Sequence, residues 1–328
     1  MPTNLPPEYF EVDRRYRAAK SPAEKIALLE ELISTVPKHK GTDHLRADLR
    51  RRLSQLKAAA SSKKGISRRE SAFRIDREGA GQVVLVGPAN VGKSALVAEV
   101  TNASPEVADY PYTTWEPTPG MMPIDDIQVQ LVDTPPLDRD HVEPELLDLI
   151  RRADLLLLVV DLQTDPSGQL EELLAILEEN RIAPDRWRER YAEDERVTFK
   201  PMLVAANKAD DQAAQELYEV FCHLMEEQWP CVPLSASTGR NVERLKRAVF
   251  EGLKIIRVYA KPPGREPDLT APFVLKQGST VEELAAKVHR DFLTGLVSAR
   301  VWGSAQFDGQ MVQRDHVLRD GDIVELRA

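Results

Sequence analysis

Only two cysteines, Cys222 and Cys231, stand among 328 residues, too few for a disulfide framework or a four-ligand zinc site. Long apolar runs are missing as well. The longest, Leu155 to Val160, is strand-sized, far short of the roughly 18 residues a membrane helix needs. An apolar signal-peptide core is not expected, because Pro2, Pro6, Pro7, Glu8 and Glu11 interrupt the place where one would lie. Aromatic residues are sparse at 6%, yet 42% of the chain is hydrophobic and 30% charged. That balance suits a folded globular protein and excludes a wholly disordered one. Secreted, membrane-spanning and Cys-rich metal classes fall away, leaving the expectation of a cytoplasmic protein with no membrane partner. Its length exceeds a usual domain of about 100–200 residues, so two or three domains are expected.

Basic residues crowd the amino-terminal end. Residues 1–80 carry a net charge of +7 and residues 81–328 carry −16, for −9 overall. The densest basic stretch, Lys38 to Arg77, holds 13 positive and 4 negative residues, including Arg50-Arg51-Arg52, Lys63-Lys64 and Arg68-Arg69. Like charges held together cost free energy that a phosphate backbone relieves, which makes this arm a candidate contact for RNA or a ribosome. The plainer reading is a solvated helix face followed by a linker.

Ser21-Pro22-Ala23-Glu24 marks a helix start, with Ser21 as N-cap, Pro22 in the first turn and Glu24 closing a capping box. Ile26, Leu29 and Ile33 recur at helical spacing before Pro37 and Gly41 end the segment. A second helix is expected from Thr42, with Leu45, Leu49, Leu53 and Leu56 in one stripe, so the pair predicts an antiparallel hairpin. A small, basic joint follows at 58–64. From about Gly81, short apolar runs alternate with amphipathic helices, the pattern of a parallel α/β sheet. Strands are expected at 82–86, 127–132, 155–161, 202–206 and 232–234. A helix is expected over 241–256, with Val242, Leu245, Val249 and Ile256 inward. Lys261-Pro262-Pro263-Gly264, with Pro267 and Pro272, reads as a stiff linker. The expected division is therefore 1–79 (basic hairpin and linker), 80–258 (doubly wound α/β domain), 259–271 (linker) and 272–328 (a small domain with a helix starting at Thr280-Val281-Glu282-Glu283).

Gly87-Pro88-Ala89-Asn90-Val91-Gly92-Lys93-Ser94 follows the run Val83-Val84-Leu85-Val86 and opens a helical stretch. That is the phosphate-binding loop pattern in its strand–loop–helix context. Glycines let backbone N–H groups wrap phosphates, and the helix N-terminus adds partial positive charge. Lys93 is placed to reach the β- and γ-phosphates, and the Ser94 hydroxyl to coordinate Mg²⁺. Asp133 ends a strand where a second carboxylate is needed for Mg²⁺; alone it would read as a turn residue. Tyr112, Thr113 and Thr114 lie in the loop between, where the Thr114 hydroxyl could complete the Mg²⁺ shell. Asn207-Lys208-Ala209-Asp210 follows the fourth strand. The Asp210 carboxylate can accept from guanine N1–H and the 2-amino group, and adenine, which has neither donor, would leave it unpaired. Ser235-Ala236-Ser237 follows the fifth strand, where a backbone N–H can meet guanine O6. In this order, the four strings predict bound GTP or GDP with Mg²⁺.

These residues resemble the Obg/DRG branch of translation-associated GTPases, and the DRG (developmentally regulated GTP-binding) proteins most of all. Ala108-Asp109-Tyr110-Pro111-Tyr112-Thr113-Thr114 and Asp133-Thr134-Pro135 look like further motifs of that branch. Val36-Pro37-Lys38-His39-Lys40-Gly41-Thr42-Asp43-His44-Leu45 resembles the DRG helical hairpin. Ala299-Arg300-Val301-Trp302-Gly303-Ser304 and Leu318-Arg319-Asp320-Gly321-Asp322-Ile323-Val324 resemble a TGS domain, a ubiquitin-like β-grasp module. The likeness implies a P-loop GTPase core and association with ribosomes or other RNA through the basic arm and the TGS domain. It leaves room for a stabilising partner protein and implies no DNA specificity.

Three departures qualify it. The branch's Asp-x-x-Gly reads Asp133-Thr134-Pro135-Pro136. Its glycine donates an N–H to the γ-phosphate, whereas Pro136 has none to give. Losing that charge-assisted bond costs roughly 1.5–3 kcal/mol of GTP-specific contact. Leu137 stands where Ras-like enzymes place a water-orienting Gln, as in the Obg branch, so slow hydrolysis is expected. Residues 162–206 are too few for the full α/β insertion of DRG proteins; the stretch from Trp187 to Arg196 is a shortened remnant or a charged loop. Asn90 matches the residue that binds K⁺ in potassium-activated relatives, and on the plainer reading it only shapes the turn. The expected function is a slow, Mg²⁺-dependent, potassium-stimulated GTPase switch. Lys93, Asn90 and Thr114 would be catalytic, with Ser94, Thr114 and Asp133 as metal ligands. The rivals are a guanine-nucleotide scaffold with little hydrolysis, because of Pro136, and an ATPase, which the complete Asn207–Asp210 string disfavours.

Overall fold

Uninterrupted apolar runs become the interior strands of a six-stranded sheet. A computed structural model of the chain describes residues 6–18, 22–36, 49, 51–53, 73–101, 116–137, 142–225, 227–289, 292 and 295–327. Two units emerge, Met1–Ala72 and Phe73–Ala328.

In the first unit, α1 (Pro7–Ala18) and α2 (Pro22–Thr35) are joined by a cluster of Val12, Leu28, Leu29, Leu32, Val36 and Leu49, with Tyr9, Tyr16, Ile33 and Leu53 around it. Sequence periodicity missed α1, whose apolar stripe among the described residues is Tyr9, Val12 and Tyr16. Its Pro7 is harmless at a first helical turn, where the N–H has no partner in any case. Leu49 and Leu53 join the cluster as the expected stripe requires; Leu45 and Leu56 lie outside the described residues.

The second unit contains β1 (Gln82–Val86), β2 (Thr118–Ile124), β3 (Ile127–Asp133), β4 (Leu155–Asp161), β5 (Ile182–Pro184), β6 (Thr198–Lys200), β7 (Met202–Asn207) and β8 (Cys231–Pro233). The main sheet has the order β2-β3-β1-β4-β7-β8, parallel except for β2, which pairs antiparallel with β3. All five expected strands occur within one residue of their bounds. The unforeseen one is β2, whose Pro119, Gly120 and Pro123 fit an edge position. Helices α3 (Lys93–Val100), α4 (Pro144–Arg152), α5 (Pro166–Glu179), α6 (Gln212–Leu224) and α7 (Val242–Leu253) complete the layers. Val83, Leu85, Leu157 and Val159 form one core with Leu96, Leu245 and Val249. Their alternates Val84, Val86, Leu156 and Leu158 are equally buried, as a parallel sheet covered on both faces demands. Between α5 and β7, a small parallel pair β5–β6 is joined through turns that include Trp187; it is not a second α/β copy.

The helix expected over 241–256 ends at Leu253, where Lys254 turns left-handed at φ 50°. Ile256 and Val258 then alternate inward on β9 (Ile255–Ala260), a period-2 pattern that belongs to a second sheet. That sheet adds β10 (Phe273–Lys276), β11 (Ser298–Trp302), β12 (Gln310–Val312) and β13 (Asp322–Arg327), in the order β10-β9-β13-β11-β12. Its first strand, β9, starts inside the stretch expected as the α/β domain (80–258) and runs into the expected linker (259–271). Strands β9 and β13 are parallel and the other pairs antiparallel. Helix α8 (Val281–Val288) packs Val281, Leu284 and Ala285 into the same core, and Thr280 caps it by accepting from Glu283 N.

Candidate nucleotide site

Strand register assembles the site. Val86 lies beside Leu158 and Asp161 beside Asn207, so the loops after β1, β3, β4, β7 and β8 open at one edge. The strand order reverses at β1, the usual place for a ligand in an open α/β sheet.

Two glycines shape the first loop. A Cβ on Gly87 would lie 2.5 Å from Val159 O. Gly92 holds φ 90°, and a Cβ there would collide with Asn207 Nδ2. Asn207 donates through that Nδ2 to Val91 O at 2.8 Å, and its Oδ1 accepts from Ala236 N at 3.1 Å. One buried amide thus joins the loop after β1, the end of β7 and the loop after β8. Pro88 is half-buried, Ala89 and Asn90 are exposed, and Val91 packs into the core. Asn90 holds φ 64°, a left-handed turn that Asn tolerates better than most residues.

Lys93, only 6% exposed, folds its ammonium over the loop and donates to Gly87 O and Pro88 O, each at 2.9 Å. Burial lowers its pKa to about 8, against the opposing pull of Asp133. The Ser94 hydroxyl donates to Asp133 Oδ2 at 2.5 Å. Burial pushes the Asp133 carboxyl upward, against Ser94, Lys93 and the Thr134 backbone. Its other oxygen, Oδ1, is buried with no hydrogen-bond partner among the described residues. A buried bare carboxylate oxygen beside a serine hydroxyl fits a hard cation with oxygen ligands.

At the far end, Asp210 Oδ1 accepts from the hydroxyls of Ser235 at 2.5 Å and Ser237 at 3.1 Å. Gln163 Nε2 reaches Asp210 Oδ2 at 3.3 Å. Lys208, at φ 64°, pairs through Nζ with Asp161 Oδ2 at 2.5 Å. All the expected residues of the loops after β1, β3, β7 and β8 therefore meet at one edge. Tyr112, Thr113 and Thr114 lie outside the described residues.

The family model for 50S ribosome-binding GTPases matches residues 82–208, and the TGS domain model matches 256–328. A GTP-binding protein of Methanocaldococcus jannaschii is 29% identical over 361 residues, covering 92% of each chain. Developmentally regulated GTP-binding protein 1 of Xenopus laevis is 25% identical, covering 92% of this chain and 98% of its own. The chain carries a GTPase domain and a carboxy-terminal TGS domain, and these relatives are consistent with the Obg/DRG type. At the level of fold, the YchF GTPase of Schizosaccharomyces pombe superposes with a TM-score of 0.50 at 13% identity, over 77% of this chain and 99% of that one.

The GTPase domain has two site residues that sequence reasoning passed over. Asp161 orients Lys208, and Gln163 contacts both Lys208 O and Asp210. Their only sequence signal is their place at the end of β4 and just after it, which gains meaning once β4 is paired with β7. Among the described residues no His/Cys/Asp/Glu cluster could hold a metal by itself, and no helix is long and apolar enough to cross a membrane.

Proposed function

We propose that this chain binds GTP and GDP with Mg²⁺ and hydrolyses GTP slowly in the cytoplasm, as a ribosome- or RNA-linked switch. The observation that carries this is Asn207, whose amide holds the phosphate loop and the guanine-side loop at a fixed spacing. Lys93 is held over the mouth of the loop, ready to exchange the Gly87 and Pro88 carbonyls for phosphate oxygens. Asp210, braced by two serine hydroxyls, presents its carboxylate to a purine edge with paired donors. Ser94 and Asp133 would hold Mg²⁺, with Thr114 as a third ligand, and the ion would neutralise phosphate charge. The exposed left-handed Asn90 is the proposed K⁺ ligand; turnover faster in KCl than in NaCl at equal ionic strength supports it, and equal rates reject it.

Calorimetry with GDP, GTP and ADP on metal-supplied protein tests the core of this reading. Tight guanine binding and weak ADP binding are expected, and no heat from either guanine nucleotide defeats it. Pro136 favours a second reading, a guanine-nucleotide scaffold with little turnover. Single-turnover hydrolysis separates the two, since product no greater than that of a Lys93→Ala control would favour the scaffold.

The ribosome or RNA link rests on the family description and on the basic stretch from Lys38 to Arg77. Within it, Arg51 and Arg52 are exposed. Salt-sensitive co-sedimentation with ribosomes or RNA should weaken when Arg50, Arg51 and Arg52 become Ala; an unchanged pellet would remove the proposal.

A further inference from the structure

Resting on guanine-nucleotide binding as proposed above, we infer that the segment from Asp133 to Leu137 is a fixed wall of the site rather than a sensor of the γ-phosphate. A sensing loop needs a free backbone donor facing the phosphates and freedom to move onto it. This segment has neither. Pro135 and Pro136 are consecutive, so two successive positions lack an N–H and have their φ angles set by the ring. Pro136, where the donor would stand, is exposed and can offer only a ring carbon. The next N–H along the chain, that of Leu137, is already engaged, donating to Gly87 O at 3.1 Å.

Both ends of the segment are anchored. Upstream, the buried Thr134 hydroxyl donates to Leu85 O at 2.5 Å. Downstream, the Leu137 side chain is 3% exposed. Freeing Leu137 N–H for a ligand would abandon a bond to the phosphate loop and draw an apolar side chain toward water. Gly87 O also accepts from Lys93 Nζ. When that ammonium leaves for a phosphate, the Leu137 bond remains and keeps the carbonyl satisfied, so triphosphate entry gives the wall no reason to move.

Two measurements test this on the full chain with Mg²⁺. Competition against a fluorescent GDP analogue should place GDP and the β,γ-imido analogue of GTP within about threefold of each other. Pro136→Ala restores an N–H but leaves both anchors in place, so the two nucleotides should stay within about threefold of each other, and a tenfold or larger rise in triphosphate preference would overturn the fixed wall. Hydrogen exchange needs no variant. Because the two prolines carry no amide hydrogen, residue-resolved exchange over 134–137 reads the amides of Thr134 and Leu137. Their protection should be the same with GDP and with the triphosphate analogue. A protection change above tenfold between the two nucleotides would overturn the inference, as would a strong triphosphate preference in the unmodified chain. Failure of both nucleotides to bind would instead defeat the site itself, and this inference with it.

Discussion

At the scale of single residues, the site is built on contacts that leave no room for a methyl group. At Gly92 a side chain would be strained by φ 90° and would strike Asn207. Gly92→Ala is therefore expected to abolish nucleotide binding and lower the melting temperature, whereas Ala89→Gly, at an exposed position, should do neither. Asn207→Ala removes the donor to Val91 O and the acceptor for Ala236 N, two buried bonds whose loss costs about 1–3 kcal/mol each. Urea denaturation checks this without any ligand. Lys93 adds a pH dependence. Its folded pKa of about 8 lies below the ordinary 10.5, so between these values the unfolded chain binds more protons than the folded one. Stability contributed by this group should therefore rise with pH through that window. Nucleotide binding should run the other way, because phosphates select the ammonium form. Calorimetry in two buffers of different ionisation enthalpy should show little proton uptake on GDP binding at pH 7 and uptake approaching one proton above pH 8.

At the scale of elements, caps and pairing rather than propensity fix where helices and strands start. Asp165 caps α5 by accepting from Gly168 N at 3.0 Å, and Asp211 caps α6 by accepting from Ala214 N at 2.9 Å. Replacing either by Ala should cost about 1 kcal/mol, read as a shift in thermal melting. Asp211 directly follows Asp210, so Asp211→Ala should also loosen the guanine-side loop and weaken GDP binding more than Asp165→Ala does. Most elements of the GTPase domain were legible because apolar runs of strand length alternate with capped amphipathic helices. Legibility failed where pattern and neighbours disagree. Edge strand β2 looks like a loop because of its prolines, and α1 looks polar because, among its described side chains, Tyr9, Val12 and Tyr16 are the three that reach a core.

At the scale of the molecule, one guanidinium links the GTPase and TGS parts of the second unit. Arg257 on β9 donates to Asp125 at 2.9 Å and Asp126 at 3.1 Å in the β2–β3 turn, and to Asp320 at 2.8 Å and 3.1 Å before β13. Tyr259 adds a bond to Asp126 at 2.6 Å. Arg257 is only 18% exposed, whereas Asp125 is 75% exposed, so Asp126 and Asp320 carry the energetics. Burial pushes the Asp320 carboxyl up, but the Arg257 bonds more than reverse it and hold it below its usual range. Stability from this pair should be full above the ordinary carboxylate pKa and fade as pH falls through the lowered one. Arg257→Ala strands two partly buried carboxylates and should cost about 2–3 kcal/mol in chemical denaturation. Adding Asp126→Ala should then cost less than it does alone, and strict additivity would refute the coupling.

By itself the sequence marked the glycine-rich loop after β1, the Asn207–Asp210 string and the parallel strands, because each is a local pattern whose chemistry depends on neighbours a few residues away. It also marked Pro136, since a missing N–H is covalent. Only the tertiary structure decided that Asn207 clasps two distant loops, that Asp161 and Gln163 stand behind Lys208 and Asp210, and that Ile255 opens the second sheet. Those facts depend on which strand lies beside which. Strand register is set by side-chain packing across the whole sheet, and no window of sequence contains both partners.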